Sequence, residues 1–516
     1  MKKTYYLLML LASIVLPACG GSDSNDTPPV NLQLRSQSIS EGAVVDAEFT
    51  TVFTLSYNNT VKVSGTGITL NGSTIAAKSN ASSPVSIDIP LSLEAGTSYT
   101  LKVPKGTIIS TTDANASAPE FTLNFTTKAK AVPTENEISA SDIPKTLGWG
   151  WNLGNHFDTS SGQDGQHPQW GYWDNAKPTQ TLYTNLKNAG VSTVRMGVTW
   201  GNYQNTTTWE IESAYMAEVK QNVEWAEAAG LNVILNLHHD EYWLDIKGAA
   251  NNSTTNEAIK TRIEKTWQQI AEAFKDKGYF LFFESFNEIQ DGGWGWGDNR
   301  KDGGRQYRTL NEWNQLVVNT IRATGGMNGK RWIGVPAYAS NPQFAAENTF
   351  ELPADPADHV MVSVHYYDPN TFTLTPENSD GKTEWGHTAA AGRFQTGSNE
   401  EHVVETFKKL YDKYIVNNIP VYIGEYGCVM HKTNRSNLFR NYYLEYVCRA
   451  AHTYNMPAII WDNNATGGGN EHHGYFNHND GTYINKMESL VQTMIKATTS
   501  NDASYTLESI YNNAPK

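Results

Sequence analysis

The chain has 516 residues, a formal net charge of −14 and an aromatic content of 11%. That length suggests two or more domains. The acidic balance, with no clustered Lys/Arg run, argues against a nucleic-acid partner and favours a neutral or weakly charged substrate.

Lys2-Lys3, an apolar stretch from Tyr5 to Val15 and the string Leu16-Pro17-Ala18-Cys19-Gly20 open the chain. This segment resembles a bacterial lipoprotein signal, which implies removal of 1–18, acylation of the Cys19 thiol and a place in the outer membrane, at the cell surface or facing the periplasm. No later apolar run approaches the roughly 20 residues of a transmembrane helix, so membrane attachment is expected only through that lipid. The other two cysteines, Cys428 and Cys448, are expected as buried thiols rather than a disulfide.

Residues 19–29 are rich in Gly, Ser, Asp, Asn and Pro and read as a flexible tether. From 30 to 128 the pattern alternates with period two, as in 85–89, 99–103 and 121–125, between turns of Gly, Asn and Pro. About a hundred residues of short strands suggest a β-sandwich, and the stretch from Glu41-Gly42 to Asn124-Phe125-Thr126 resembles a bacterial immunoglobulin-like domain. All 15 Trp lie at or after Trp149, so this domain offers no Trp on which a sugar ring could stack; a spacer is expected. A linker, 129–138, follows.

From 139 to 516, short apolar runs alternate with amphipathic helical stretches. Candidate strands are 147–153, 193–198, 232–237, 280–286, 332–336, 360–366, 420–424 and 458–462. Helical spacing marks 214–229, 257–277, 306–323, 400–417 and 436–454, with the weakest helix in the fifth crossover near 342–348. Eight strands in alternation indicate a (β/α)₈ barrel, an α/β fold. A doubly wound sheet is the alternative, but the Gly-rich phosphate turn after its first strand is absent.

Glu288 and Glu425 each close an apolar run, as the ends of strands four and seven. A carboxylate there is costly unless paired or put to use, and strand C-termini carry the chemistry of such barrels. Two carboxylates across one cleft are what glycosidic hydrolysis requires. Arg195, among apolar neighbours at the end of strand two, needs a carboxylate partner, and Glu425 is the expected one. Alternate strand residues share a face, so His365 and Tyr367 point into the barrel mouth together, as does His238 with Asn236. His238-His239-Asp240 also invites a metal reading, but no His-Glu-x-x-His motif accompanies it, and neither metal nor cofactor is expected.

Seven strings in order make a resemblance specific. They are Gly150-Trp151-Asn152-Leu153-Gly154-Asn155, Val194-Arg195-Met196-Gly197-Val198, Asn236-Leu237-His238-His239-Asp240, Phe286-Asn287-Glu288, Val364-His365-Tyr366-Tyr367, Ile423-Gly424-Glu425-Tyr426-Gly427 and Ile459-Ile460-Trp461-Asp462. From Thr146 to about Lys496 the chain resembles glycoside hydrolase family 5, in its endoglucanase and xyloglucanase branch. The resemblance implies Glu288 as acid/base, Glu425 as nucleophile and Asn287 on the sugar 2-OH. It also implies Tyr367 as donor to Glu425, Trp461 as a platform under the sugar, and His238, His239 and His365 near the substrate. Trp170, Trp173, Trp243, Trp294, Trp296 and Trp385 fall in loops after strand ends, where a long cleft could use them.

A monomeric, retaining endo-β-1,4-glucanase acting on polysaccharide is therefore expected, on xyloglucan, mixed-linkage glucan or cellulose derivatives. Endo-xylanase or endo-mannanase activity is the runner-up. A non-catalytic glycan-binding lipoprotein is the remote alternative, and it predicts loss of a residue among Glu288, Glu425, Asn287 and Arg195.

Overall fold

The computed structural model describes residues 30–47, 50–80, 82–128, 137–168, 173 and 176–516. Cys19 and the whole segment 1–29 lie outside the described residues, as do Trp170 and most of the expected linker. The chain divides into two compact units, Met1–Val132 and Pro133–Lys516.

The first unit is all-β. Strands Leu34–Gln37, Val52–Tyr57, Ser86–Pro90 and Lys78–Ser79 form one sheet, and Val44–Val45, Phe121–Thr127, Ser98–Val103, Thr69–Leu70 and Ser73–Thr74 form another. Alternate residues point inward, so Phe53, Leu55, Ile87 and Ile89 of one sheet share a core with Leu101, Leu123 and Phe125 of the other. Burying one face of each sheet against the other is what period-two sequence produces. Tyr57 and Tyr99 are both in that core, so neither presents an open ring to solvent.

The second unit closes eight parallel strands into a barrel. They are β1 (Trp149–Asn152), β2 (Thr193–Met196), β3 (Asn232–Asn236), β4 (Leu281–Glu284), β5 (Ile333–Pro336), β6 (Val360–Tyr366), β7 (Val421–Tyr426) and β8 (Ala458–Ile460). A helix follows each: α1 (Gln180–Ala189), α2 (Ser213–Ala228), α3 (Ser253–Phe274), α4 (Arg305–Ala323), α5 (Pro342–Ala346), α6 (Glu400–Lys413), α7 (Asn434–Thr453) and α8 (Glu488–Thr499). All eight expected strands are present.

The boundaries differ for local reasons. Helix α3 starts before its first apolar-periodic residue because the Asn252 side chain caps it, accepting from the amides of Thr254 and Thr255. The fifth crossover shrinks to α5, which Asn341 caps and Pro342 begins. Strand β4 ends at Glu284, so Glu288 stands four residues beyond the strand rather than at its end. Strand β7 runs on to Tyr426 and carries Glu425 within it.

The barrel interior is layered. Ile234, Phe282, Met361, Tyr422 and Ile459 fill the lower layer, and Ile143 and Leu147 of the helix Ile143–Leu147 pack against it. Two residues further along the strands the inward positions turn polar, with Asn236 on β3, Glu284 on β4 and Ser363 on β6. Period-two geometry puts these pairs on one face. At the bottom, buried Arg331 has backbone carbonyls for partners: it donates to those of Phe274, Lys277, Gly278 and Leu281, and to the Asn328 side chain. That ties the end of α3 to the starts of β4 and β5.

Candidate active site

Arg195 is the centre of the upper layer and is fully buried. Its Nε donates to Glu284 Oε2 at 2.8 Å, and Nη1 donates to Asn152 Oδ1 at 2.9 Å and Glu425 Oε1 at 2.8 Å. Nη2 donates to Asn287 Oδ1 at 2.8 Å and lies 3.4 Å from His365 Nε2. The expected Arg195–Glu425 pair is present, but it is half of the arrangement. Glu284 shares the same guanidinium and also accepts from Asn236 Nδ2 at 2.8 Å, Ser363 Oγ at 2.5 Å and Tyr422 Oη at 2.6 Å. Burial works to raise the Glu284 pKa, but the Arg195 charge and these hydrogen bonds outweigh it and hold the carboxyl below its usual value.

Sequence reasoning passed over Glu284. The signal was available: an acid inside the run Phe280–Phe286 is subject to the argument that singled out Glu288, and a buried arginine can serve two carboxylates.

A bulge aims Glu425. Between β6 and β7, Val364 pairs with Ile423 and His365 with Glu425, leaving Gly424 as the extra residue. Bulges beside active sites re-aim side chains in this way. The Gly424 carbonyl is held by Asn152 Nδ2 at 2.9 Å. Tyr367 Oη donates to Glu425 Oε2 at 3.0 Å, and His238 Nε2 lies 3.9 Å from Oε1.

His365 joins the two acids. Its Nδ1 is 2.7 Å from Glu288 Oε1 and 3.6 Å from Glu425 Oε2. One carboxylate oxygen of Glu288 and one of Glu425 lie within 4.8 Å of each other. Burial, with Arg195 alongside, pushes the His365 pKa down to about 4 despite the Glu425 charge, so the ring is neutral near pH 7. Arg195 donates toward Nε2, which leaves the ring proton on Nδ1, facing Glu288.

The environments of the two acids differ. Burial drives Glu288 up to about 7; the His239 charge lowers it, and the charge of Glu241 raises it. Burial also raises Glu425, but His365 and Arg195 oppose it, and only Glu425 is in direct contact with the guanidinium. The first proton taken by the pair therefore goes to Glu288.

His238 packs parallel to Trp461, with ring centroids 6.0 Å apart and an interplanar angle of 11°. Two glycines make room for this stack. A Cβ at Gly197 would collide with His238 Nδ1, and one at Gly154 would meet the Trp461 ring at 3.0 Å. Asp158, His238 and His239 offer polar atoms within 4.8 Å of one another. Asp158 accepts from the amides of Asn155 and His156, His238 Nδ1 lies 3.2 Å from Asn236 Nδ2, and His239 Nδ1 lies 3.4 Å from Glu241 Oε1. Burial opposes a charge on His239, but Glu241 and Asp158 outweigh it and push that pKa up to about 9. Its imidazole is thus a cation near pH 7.

The loop tryptophans divide by role. Trp385 is in the core, packed against Tyr442, Tyr443 and Tyr446, which corrects the expectation that it could serve the cleft. Trp243 lies against Arg262, whose guanidinium sits between the Trp209 and Trp243 rings at 4.2 and 4.1 Å. That face of Trp243 is taken. Trp173 meets His239 edge-on at 5.6 Å. Trp294 and Trp296 are 58% and 61% exposed on the loop after Glu288. That loop is braced by Gln290 Oε1, which accepts from the amides of Gly292 and Trp294, and by Asp291, which accepts from Gly293 and Asn299.

Cys428 and Cys448 are free and buried, as expected.

A buried arginine serving two carboxylates, beside a close pair of acids at the open end of a parallel barrel, is a hydrolytic arrangement, and comparison with known proteins agrees. Residues 154–467 match the model for cellulase (glycosyl hydrolase family 5). Endoglucanase A of Paenibacillus barcinonensis is 31% identical over 72% of this chain and 94% of its own. A xyloglucan-specific endo-beta-1,4-glucanase of Bacteroides ovatus is 31% identical over 67% of this chain and 71% of its own. Among solved structures, a broad-specificity endoglucanase from Bacteroides salanitronis is 44% identical, with a TM-score of 0.67, over 71% of this chain and 96% of that one. The chain belongs to glycoside hydrolase family 5.

Proposed function

We propose that the protein is a retaining endo-β-1,4-glucanase, and the observation that carries this is the separation of Glu288 and Glu425. Carboxylate oxygens within 4.8 Å leave no room for the water that an inverting enzyme activates between acids about 6.5–9.5 Å apart. Glu425 attacks the anomeric carbon while Glu288 passes its proton to the leaving oxygen. The resulting glycosyl ester with Glu425 is then hydrolysed by a water that Glu288 deprotonates, restoring both groups.

The neighbours supply charge and position. Arg195 and Tyr367 hold Glu425 ionised and oriented. Asn287 has its Oδ1 fixed by Arg195, so its Nδ2 is presented to the sugar 2-OH, a contact that strengthens as charge develops on the ring. Trp461, backed by His238, is the platform under the cleaved sugar, and His239 lines the same site. Trp294 and Trp296, exposed on the loop that leaves Glu288, are suited to stacking on a chain that extends past it. Relatives named as endoglucanases and as a xyloglucan-specific enzyme support a β-1,4-glucan, decorated or linear, over xylan and mannan.

The first product observed by NMR should retain the β configuration, with oligosaccharides rather than glucose appearing early. An α product, monosaccharide release alone, or faster hydrolysis of xylan or mannan overturns this reading. The pH dependence has a defined sign. Glu288 must be protonated to assist departure, so kcat/KM should fall as pH rises through about 7. Replacing His239 with Asn removes a charge that lowers the Glu288 pKa, and this limb should move to higher pH. A limb that stays put, or moves down, removes His239 from the account.

The segments ahead of the barrel are read as its mounting. Residues 30–128 form an immunoglobulin-like spacer, Cys19 carries lipid, and the enzyme works as a monomer on the outer membrane, facing the surface or the periplasm. The absence of Trp from this unit and the burial of Tyr57 and Tyr99 support a spacer over a glycan-binding module. A protein that begins near Glu135 should keep full kcat/KM on soluble glucan. Cys19→Ser should abolish incorporation of labelled palmitate. Glycan binding by the isolated first unit, or labelling that survives the substitution, contradicts these assignments.

A further inference from the structure

Glu288 stands beyond its strand, and the turn after the neighbouring strand holds the backbone on either side of it. The sheet ends at Glu284, yet segment 285–289 stays joined to segment 334–340, which runs from β5 into the turn Tyr338–Ser340. The Ser285 amide donates to the Gly334 carbonyl at 2.9 Å. Asn314 of α4 bridges the next step, accepting from Ser285 Oγ at 2.6 Å and donating from Nδ2 to the Pro336 carbonyl at 3.1 Å. The last two contacts bracket the acid. Ser340 Oγ donates to the Asn287 carbonyl at 2.5 Å, and the Ala339 amide donates to the Ile289 carbonyl at 2.9 Å.

The two donors come from strained backbone. Ala339 and Ser340 are consecutive non-glycine residues in the left-handed region, at φ 55° and 49°. Both are buried. Side chains enter this region at a cost, and the surroundings must over-determine it. Here they do: the Ser340 amide donates to the Ala337 carbonyl at 2.9 Å and the Asn341 amide to the Tyr338 carbonyl at 3.1 Å. Tyr338 Oη donates to Gln306 Oε1 of α4 at 2.6 Å. The turn thus presents one amide and one hydroxyl to the backbone of Asn287 and Ile289. Such strain clusters at active sites, and in this chain it is spent beside the acid.

We propose that Ser340 is a positioning residue for the acid/base. Its hydroxyl fixes the peptide unit between Asn287 and Glu288, and so sets where the Glu288 carboxyl stands against the leaving oxygen. This inference rests on the glucanase reading. The other groups of the site have their own anchors: Arg195 holds the Asn287 side chain, and Arg195 with Tyr367 holds Glu425. At its far end Glu288 meets only the His365 ring, at 2.7 Å, so its place depends on where its backbone is held. Loss of the Ser340 contact therefore falls on proton transfer rather than on the nucleophile. A general acid acts only within hydrogen-bond reach, and a misplacement of about 1 Å can cost about a hundredfold.

The test uses the full-length protein with two probes, soluble mixed-linkage β-glucan and 2,4-dinitrophenyl β-cellobioside, whose phenolate leaves without a proton. In Ser340→Ala, kcat/KM on the glucan should fall about ten- to a hundredfold. On the aryl glycoside it should stay within about threefold of wild type. Ser340→Gly also lacks the hydroxyl but adopts φ 49° without strain, so it should show the same split with no lower urea midpoint than Ser340→Ala. In a Glu288→Ala background, adding Ser340→Ala should change the glucan rate by less than about twofold, because the group it positions is gone. Wild-type rates in both Ser340 variants, equal falls on the two substrates, or an undiminished fall in the Glu288→Ala background overturn the assignment. Wild-type hydrolysis of the glucan is the separate control: if it is absent, the glucanase reading fails; if it is present and the split does not appear, only the role of Ser340 fails.

Discussion

Glu425→Ala should lose at least about ten-thousand-fold in kcat on every glucan, because no other group in the site can form the glycosyl ester. Glu288→Ala should behave differently. Its loss should be about 10²- to 10⁴-fold on polysaccharide, where the leaving sugar needs a proton. On aryl glycosides with acidic phenols that need vanishes, so glycosylation should stay fast and deglycosylation become limiting. Azide can then replace the water that Glu288 no longer activates, giving faster turnover and a β-glycosyl azide. In Glu425→Ala any azide adduct must instead arise by direct attack and carry the α configuration. The anomer of the azide product thus reports which carboxylate was removed. Indistinguishable profiles for the two variants on activated substrates would remove the asymmetry that Arg195 creates in the site.

Glu284→Gln should be the most destabilising single-atom exchange in the upper barrel layer. The carboxylate accepts from Arg195, Asn236, Ser363 and Tyr422, and all four are donors. An amide keeps the shape but turns one acceptor into a donor, and it leaves Arg195 with one carboxylate in place of two. Breaking a fully buried ion pair by removing one charge costs about 3–5 kcal/mol. Glu284 has a folded-state pKa below its ordinary 4.5. Its contribution is therefore complete above that value and is lost as pH falls through the folded pKa. Urea unfolding should show the full gap between variant and wild type at pH 7 and a smaller one near pH 4. Activity should also fall, by tenfold or more, because Arg195 orients Glu425 and Asn287 from the same anchor. A variant within about 1 kcal/mol of wild type at pH 7, with normal kcat, would make Glu284 dispensable.

What the sequence determined by itself is local or repetitive. Eight apolar runs and the amphipathic stretches between them specified a barrel, since each strand must be buried on both faces and each helix on one. The two acids and Arg195 could be picked out because charge among apolar neighbours is expensive. Tertiary structure decided everything that depends on what lies across the barrel. Glu284 and Glu425 meet one guanidinium although 141 positions separate them, and no periodicity reports that. The bulge at Gly424, which aims Glu425, is a register shift between two strands and exists only once they pair. Trp385 and Trp243 looked like Trp294 in sequence, as loop tryptophans, and only packing showed two of them occupied by tyrosines and an arginine.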